Sequence, residues 1–434
     1  MQRLKILTGI TILCSVFLIL ISFTDPDSYS GPENTRLTEL PKRSFADLKE
    51  TRLYTLQQQE LKRALKSYFD KAIASGDIVG AGVSIVRGDS IVISDGYGKR
   101  NSTTNKDVDG QTIFRLGSLS KGFAGILAAN LVHDGILDWE DKVSDYIPEF
   151  QLGDSENPAK ITLANILSHT SGAPYHSYTN LVEAGLPLTA IAKHFREVQP
   201  ISDPGMVYSY QNALFALSGE MAYKATGEDI AALLQRRFFN PLEMCSTTMA
   251  HKSLVETANV AMPHTKWHNR WRPKKIRNNY YNAIAAGGIN ASAADMAKWM
   301  RFLLGHNPEI LTKPAIQVAF NPFVEIKGRN KYYQRWPGHI SSHYGFGWRI
   351  HKFMEDESQQ EITMWHHGGS VNNYRNEIAV YPEADLGICV LLNNNSRLAR
   401  TVIPDLYKII KEVYNKTDIK STLASIPGTN WYYE

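Results

Sequence analysis

Apolar positions change their spacing several times along this chain. Residues 6–23 form an apolar run without a charge, preceded by Arg3 and Lys5. A basic flank before such a run marks an export signal, and 18 residues are about enough to cross a bilayer as a helix. Ser22-Phe23-Thr24 makes a poor cleavage site, so residues 1–24 read as a signal-anchor in preference to a cleaved signal peptide. Arg3 and Lys5 then stay in the cytoplasm and the body lies outside it, held by the cell membrane. Residues 25–53 are polar and carry Pro26, Pro32 and Pro41, the composition of a tether.

Beyond the tether the pattern becomes that of a folded body over residues 54–415. Leu61, Leu65, Phe69 and Ile73 recur at helical spacing. Residues 81–87 and 90–94 read as two strands joined by Gly88-Asp89, a hairpin signal. A mostly helical stretch follows over residues 117–280, with helical patterns at 122–137, 163–167, 213–226 and 229–237. Residues 291–304 form another helix, opened by Ser292 and ended by Gly305. Strand patterns return at 346–350, 377–381 and 387–392, and Glu383-Ala384-Asp385 turns the chain between the last two. A helical pattern at 398–413 closes the body, leaving 416–434 as a tail. Strands that flank a helical block imply an α/β fold. Its antiparallel sheet is built from both ends of the chain, flanked by helices, with a mostly helical lobe inserted.

Composition narrows the function more than the fold. The 434 residues are 43% hydrophobic and 21% charged, ordinary globular values that exclude overall disorder. A net charge of +4 lacks the strong basic stripe of a nucleic-acid binder. The basic stretch at residues 270–277 reads as a solvated connector. Of the three cysteines, Cys14 lies in the apolar run, and Cys245 and Cys389 are expected as unpaired thiols. His264 and His268 have helical spacing, but Pro263 and the absence of an intervening glutamate argue against a zinc helix. No metal site and no cofactor fingerprint is expected.

The candidate chemistry begins at Ser118-Leu119-Ser120-Lys121. Ser118 and Lys121 at i and i+3 share one helix face. A serine hydroxyl needs a base within reach, and a buried lysine of lowered pKa can serve. A helix N-terminus favours the oxyanion that develops in acyl transfer. Ser-x-x-Lys alone says little, since about one match is expected by chance in a chain this long.

Its surroundings say more. Phe114-Arg115-Leu116-Gly117 precedes it, and Asp134-Gly135-Ile136-Leu137-Asp138 and Tyr146-Ile147-Pro148-Glu149-Phe150 follow. Tyr210-Gln211-Asn212 comes after a Pro204-Gly205 turn, and His366-His367-Gly368 with Gly369 comes later still. With these three ordered motifs, residues 80–395 resemble the β-lactamase-related serine hydrolases: class C β-lactamases, D,D-carboxypeptidases, D-aminopeptidases and related esterases. The resemblance implies a β-lactamase/transpeptidase-like fold and an acyl-enzyme on Ser118, with Lys121 and Tyr210 as the proton-transfer pair. A lowered Tyr210 pKa, induced by a neighbouring Lys121 ammonium, is the expectation. Asn212 is implied to hydrogen-bond Lys121 and the substrate amide. His366 is implied to donate to a substrate carboxylate or to Tyr210. Gly368 and Gly369 let the strand approach the acyl group, and the N–H groups of Ser118 and Gly369 would form the oxyanion hole.

Departures from the family pattern are Asn373-Tyr374 where Gly-Phe is usual, and Gln211 where a small residue is commoner. Asparagine tolerates a left-handed backbone, so that turn is expected to survive. Arg375 is a candidate for a substrate carboxylate or a plain ion pair, and residues 328–343 for a specificity loop or an insertion. His169 is expected to be structural. The implied reaction is cleavage of an amide or ester in a small-molecule or peptide substrate. The alternative is a penicillin-binding sensor that acylates without turnover.

Overall fold

Eight strands order as β2-β1-β8-β7-β6-β5-β4-β3 in one antiparallel sheet. They are β1 (Gly80–Arg87), β2 (Ser90–Gly98), β3 (Val324–Glu325), β4 (His339–Tyr344), β5 (Arg349–Met354), β6 (Glu361–Val371), β7 (Tyr374–Tyr381) and β8 (Leu386–Leu392). The computed structural model describes residues 45–153, 160–355 and 358–423. The expected anchor at 6–23, most of the tether, and residues 424–434 of the expected tail lie outside the described residues. Among the described residues, no helix is long and apolar enough to cross a membrane. Helix α1 (Phe45–Ala74) already includes residues 45–53, which composition assigns to the tether.

The sheet joins the two ends of the chain because β1 pairs with β8, Ala81 opposite Leu392. Both of its faces are covered. Ile378, Val380, Cys389 and Leu391 point into a core shared with the helical lobe. Ala379, Tyr381, Ile388 and Val390 point the other way, against Leu61, Leu65 and Phe69 of α1 and Ile403, Leu406 and Ile410 of α4 (Val402–Leu423). Strands buried on both faces lose polar alternation, which is why residues 378–381 of β7 and the whole of β8 read as continuous apolar runs. Each buried Ile, Val, Leu or Phe side chain among them contributes about 1.5–3 kcal/mol by leaving water.

Three departures from the sequence pattern matter for the site. The apolar text at 346–350 is not one strand: β5 begins at Arg349, and a turn precedes it in which Gly347 takes φ +81°. Polar β4 and histidine-bearing β6 escape a hydrophobicity reading altogether. The expected tail begins inside α4, which runs to Leu423. Between β6 and β7 only Asn372 and Asn373 intervene, at φ +46° and +66°. That is the left-handed pair a two-residue hairpin demands.

Helix α2 (Ser120–His133) is buried on all sides from Ser120 to Leu131, as an apolar helix without a polar face must be. Gly125 packs so closely that a Cβ there would lie 1.9 Å from the Phe346 carbonyl oxygen. Backbone cannot yield as a flexible side chain can. Gly125→Ala should therefore cost about 1–3 kcal/mol or more, read as a lowered denaturant midpoint at unchanged slope.

Candidate active site

Ser118 sits in a single 3-10 turn (Gly117–Leu119) that runs directly into α2. Gly117 takes φ +57°, and a Cβ there would come within 3.0 Å of the Ser370 backbone. Glycine is therefore needed twice over, for the conformation and for the approach to β6. The turn leaves Ser118 half-exposed while Lys121, one turn on, is fully buried.

Lys121 Nζ donates to Asn212 Oδ1 and to the Ala286 carbonyl oxygen, both at 2.8 Å, and lies 3.5 Å from Ser118 Oγ. Burial, with the Arg349 guanidinium nearby, holds its pKa well below that of an ordinary lysine. A neutral amine has two N–H bonds, and the two acceptors use both. Its lone pair is then left for the Ser118 hydroxyl. Asn212 opens helix α3 (Asn212–Thr226), and its Nδ2 donates to Tyr280 Oη at 3.3 Å. The amide is thereby turned with its oxygen toward the lysine.

Tyr210 Oη donates to Ser118 Oγ at 2.9 Å. The lowered phenol expected from the sequence is not found. Burial pushes Tyr210 up to about 12, against smaller lowering effects of Arg349 and the Ser118 hydrogen bond. The reversal comes from burial of the phenol, which disfavours the phenolate more than the nearby Arg349 charge favours it. His169 is a packing residue here. It is buried with φ +62°, its ring centroid is 4.2 Å from that of Tyr210, and Nδ1 accepts the Gln211 N–H at 3.1 Å. Gln211 turns its side-chain amide onto the Pro174 carbonyl.

The expectation for His366 is overturned by strand parity. Successive side chains of a strand point to opposite faces. On β6, Trp365 and Val371 face the helical lobe, whereas Met364 faces the terminal helices. His366 goes with Met364, fully buried, its Nε2 2.8 Å from Glu377 Oε2 and its Nδ1 3.2 Å from His351 Nε2. It reaches neither Tyr210 nor the cleft. His367 is the histidine on the cleft side. Its Nε2 lies 2.9 Å from Tyr344 Oη, and its ring centroid is 6.4 Å from that of Tyr210.

The buried chain on the far face satisfies itself in one direction. His339 Nε2 donates to Ser342 Oγ (2.7 Å), which donates to His351 Nδ1 (2.7 Å). His351 donates to His366, and His366 to Glu377. Each histidine in it needs only one proton, in keeping with burial lowering the His351 and His366 pKa values. Burial raises Glu377 to about 7.

Gly369 is on the cleft face, where a Cβ would meet the Leu116 carbonyl oxygen at 2.1 Å; Gly368 is on the other, where it would meet Tyr332 Oη at 2.7 Å. β5 pairs with β6 only as far as His366, while β7 continues to Val371. Among the described residues, 367–371 therefore have no strand neighbour on one side.

Several participants were not legible beforehand. The Ala286 carbonyl leaves no signal in residue type. His367 was within reach of a strict alternation argument. Arg349 follows the Tyr344-Gly345-Phe346-Gly347-Trp348 stretch and is half-buried over the rings of Tyr333 and Tyr344, at 5.0 and 5.9 Å, with Nε and Nη1 unpartnered. His264, weighed as a metal ligand, lies in a strand with Nδ1 3.2 Å from the Asn393 carbonyl oxygen. Among the described residues no group of His, Cys, Asp and Glu is arranged to hold a metal ion.

A mixed α/β sandwich with a serine, a lysine and a tyrosine meeting at the mouth of a helix defines a class of serine acyl-transfer folds. Residues 65–408 match the beta-lactamase family, and the chain belongs to it. An octameric penicillin-binding protein homologue from Pyrococcus abyssi shares the fold, with TM-score 0.68, 23% identity, and coverage of 79% of this chain and 77% of that one. Protein flp of Staphylococcus aureus is 23% identical over 382 residues, 87% of this chain and 70% of flp. An unguisins hydrolase from Aspergillus violaceofuscus is 27% identical over 259 residues, 55% of this chain but only 44% of the hydrolase, so the match spans less than half of that relative's length.

Proposed function

We propose that the protein is a serine hydrolase that cleaves an amide or ester bond through an acyl-enzyme on Ser118. The observation that carries this reading is a single hydroxyl within 2.9 Å of a tyrosine oxygen and 3.5 Å of a buried amine. Catalytic contacts are often long before substrate binds and tighten in the complex.

The chemistry proceeds as follows. Ser118 Oγ attacks the carbonyl carbon while its proton passes to the Lys121 lone pair. The carbonyl oxygen becomes an oxyanion, held by the N–H of Ser118 at the start of the helix and that of Gly369 on β6. Its collapse breaks the bond to the leaving group. That group takes a proton from Tyr210, which is un-ionised at neutral pH because burial holds it at about 12, and Lys121 restores the tyrosine proton. A water then repeats the sequence on the acyl-enzyme and releases the acid. In this scheme Lys121 is the acylation base and Tyr210 the proton donor. The unpaired edge of β6 at residues 367–371 favours an extended, peptide-like acyl group, since it offers main-chain hydrogen bonds of the strand-addition kind.

The test is to treat residues 54–434 with a β-lactam, a D-Ala-D-Ala peptide, a D-amino-acid amide and a p-nitrophenyl ester. Turnover of at least one, with an adduct mass trapped on the peptide containing Ser118, is expected. An adduct on another residue refutes the proposal. An adduct on Ser118 that forms and then persists for hours favours the sensor reading. Tyr210→Phe should lower kcat by about 10²–10⁴-fold, the usual worth of a general acid, with a smaller loss for the ester of p-nitrophenol, whose leaving group needs no proton. The position of the active domain outside the cytoplasm rests on residues 1–24 alone. Protease accessibility of the domain in intact cells tests it.

A further inference from the structure

Next to the cleft lies a cavity of about 380 Å³ whose charged lining is entirely cationic: Lys331, Arg335, Arg375, Arg397 and Arg400. Three separate stretches of chain bring these residues together. Lys331 and Arg335 flank the 3-10 turn Tyr332–Arg335, Arg375 is the second residue of β7, and Arg397 and Arg400 bound the turn after β8. Only Arg375 has an acidic partner among the described residues, Glu377 Oε1 at 3.4 Å. The buried Glu377 lies beneath the cavity, already engaged by His366 and by Tyr332 Oη at 2.8 Å. Like charges gathered in a concave site focus a positive potential, which costs stability unless an anion shares the site.

One lining cation reaches toward the cleft. Lys331 Nζ stands 5.2 Å from the Tyr175 ring centroid, and that ring is 6.4 Å from the Tyr210 ring. Tyr332 Oη abuts Gly368 on the face of β6 away from the cleft, and Arg375 is the register partner of Ser370 beside Gly117, so the cavity and the cleft flank the same end of β6. The segment 328–343, undecided between specificity loop and insertion from its sequence, supplies two of the five cations.

We propose that this cavity is a subsite for an oxyanion group of the substrate, a phosphate or a cluster of carboxylates, held while the scissile carbonyl lies at Ser118. The link to Ser118 rests on the hydrolase reading above; the anion site itself does not. A guanidinium pair suits either group through parallel N–H···O bonds.

Calorimetry at constant ionic strength separates the two. Pyrophosphate and tricarballylate are titrated into Ser118→Ala protein, so no turnover is needed. At least one should bind with one-to-one stoichiometry, and which one binds more tightly identifies the phosphate or the carboxylate source. Arg397→Gln/Arg400→Gln should weaken that binding at least tenfold. Arg270→Gln/Arg272→Gln, which removes the same charge from an exposed hairpin, should leave it within twofold. Arg397 and Arg400 are exposed, so an unfolding midpoint no lower than that of the wild type is expected and serves as the folding check. A second double variant, Lys331→Gln/Arg335→Gln, should reproduce the loss. If neither anion binds, or if both cavity variants bind as wild type does, the subsite is refuted. In wild-type protein the tighter anion should compete with ester substrate. Binding without competition would detach the subsite from the catalytic cleft and overturn the substrate part of the proposal. Absence of any hydrolysis would instead count against the hydrolase reading and leave the anion result standing.

Discussion

Ser118→Ala should lower turnover of every substrate by at least about 10⁴-fold while the protein stays folded, because no alternative nucleophile can take over a two-step acyl transfer. Ser118 is half-exposed, and its hydroxyl accepts from Tyr210 and is directed at the Lys121 lone pair. Removing one oxygen from a site open to water leaves little unsatisfied. The unfolding midpoint should move by no more than a surface substitution moves it, within about 0.5 kcal/mol. Steady-state rates and thermal unfolding on the same preparation check both halves. A variant that hydrolyses ester at the wild-type rate removes Ser118 from the mechanism.

The second large effect is that of Lys121→Met. Methionine fills the same tunnel but offers no lone pair of comparable basicity, so kcat/KM should fall by about 10²–10⁴-fold, the usual contribution of a positioned base. The pH dependence carries more information than the size of the loss. In the wild type the acid limb reports protonation of the amine. Burial and Arg349 hold that limb well below the ordinary lysine value, so activity should extend well below the usual lysine range and be lost as the pH falls through the folded pKa. The variant should lack this limb.

Stability carries the same signature with a definite sign. A lysine depressed in the folded state binds fewer protons there than in the unfolded chain, between its folded pKa and about 10.5. Stability therefore rises with pH across that window and falls as the amine is forced to charge in a dry site. Lys121→Met should flatten that slope in thermal unfolding measured at several pH values. Two groups lose an N–H donor, Asn212 Oδ1 and the Ala286 carbonyl, which costs about 1–3 kcal/mol for each left unsatisfied. Removing the buried amine itself offsets part of that cost.

Local sequence was enough for anything that depends on neighbours along the chain. Ser118 and Lys121 are three residues apart at the start of a helix, so their shared face follows from helical geometry alone. The Gly88-Asp89 hairpin, the Asn373 turn, the Ser292 cap and the two-ended antiparallel sheet also follow from short-range chemistry and from the order of elements. Ser292 Oγ accepts the Asp295 N–H, as a cap does.

Distances across the chain and the dielectric around a group are different in kind. Tyr210 is 92 positions from Ser118, and the Ala286 carbonyl that orients Lys121 is 165 positions away; no periodicity links them. The side of β6 a histidine occupies depends on a register that β7 and β8 impose, and a shift of one residue exchanges His366 for His367. The protonation of Lys121 and Tyr210 is set by water excluded through packing of the whole lobe. Residue type can name the acid and the base, but only burial decides which of them holds the proton.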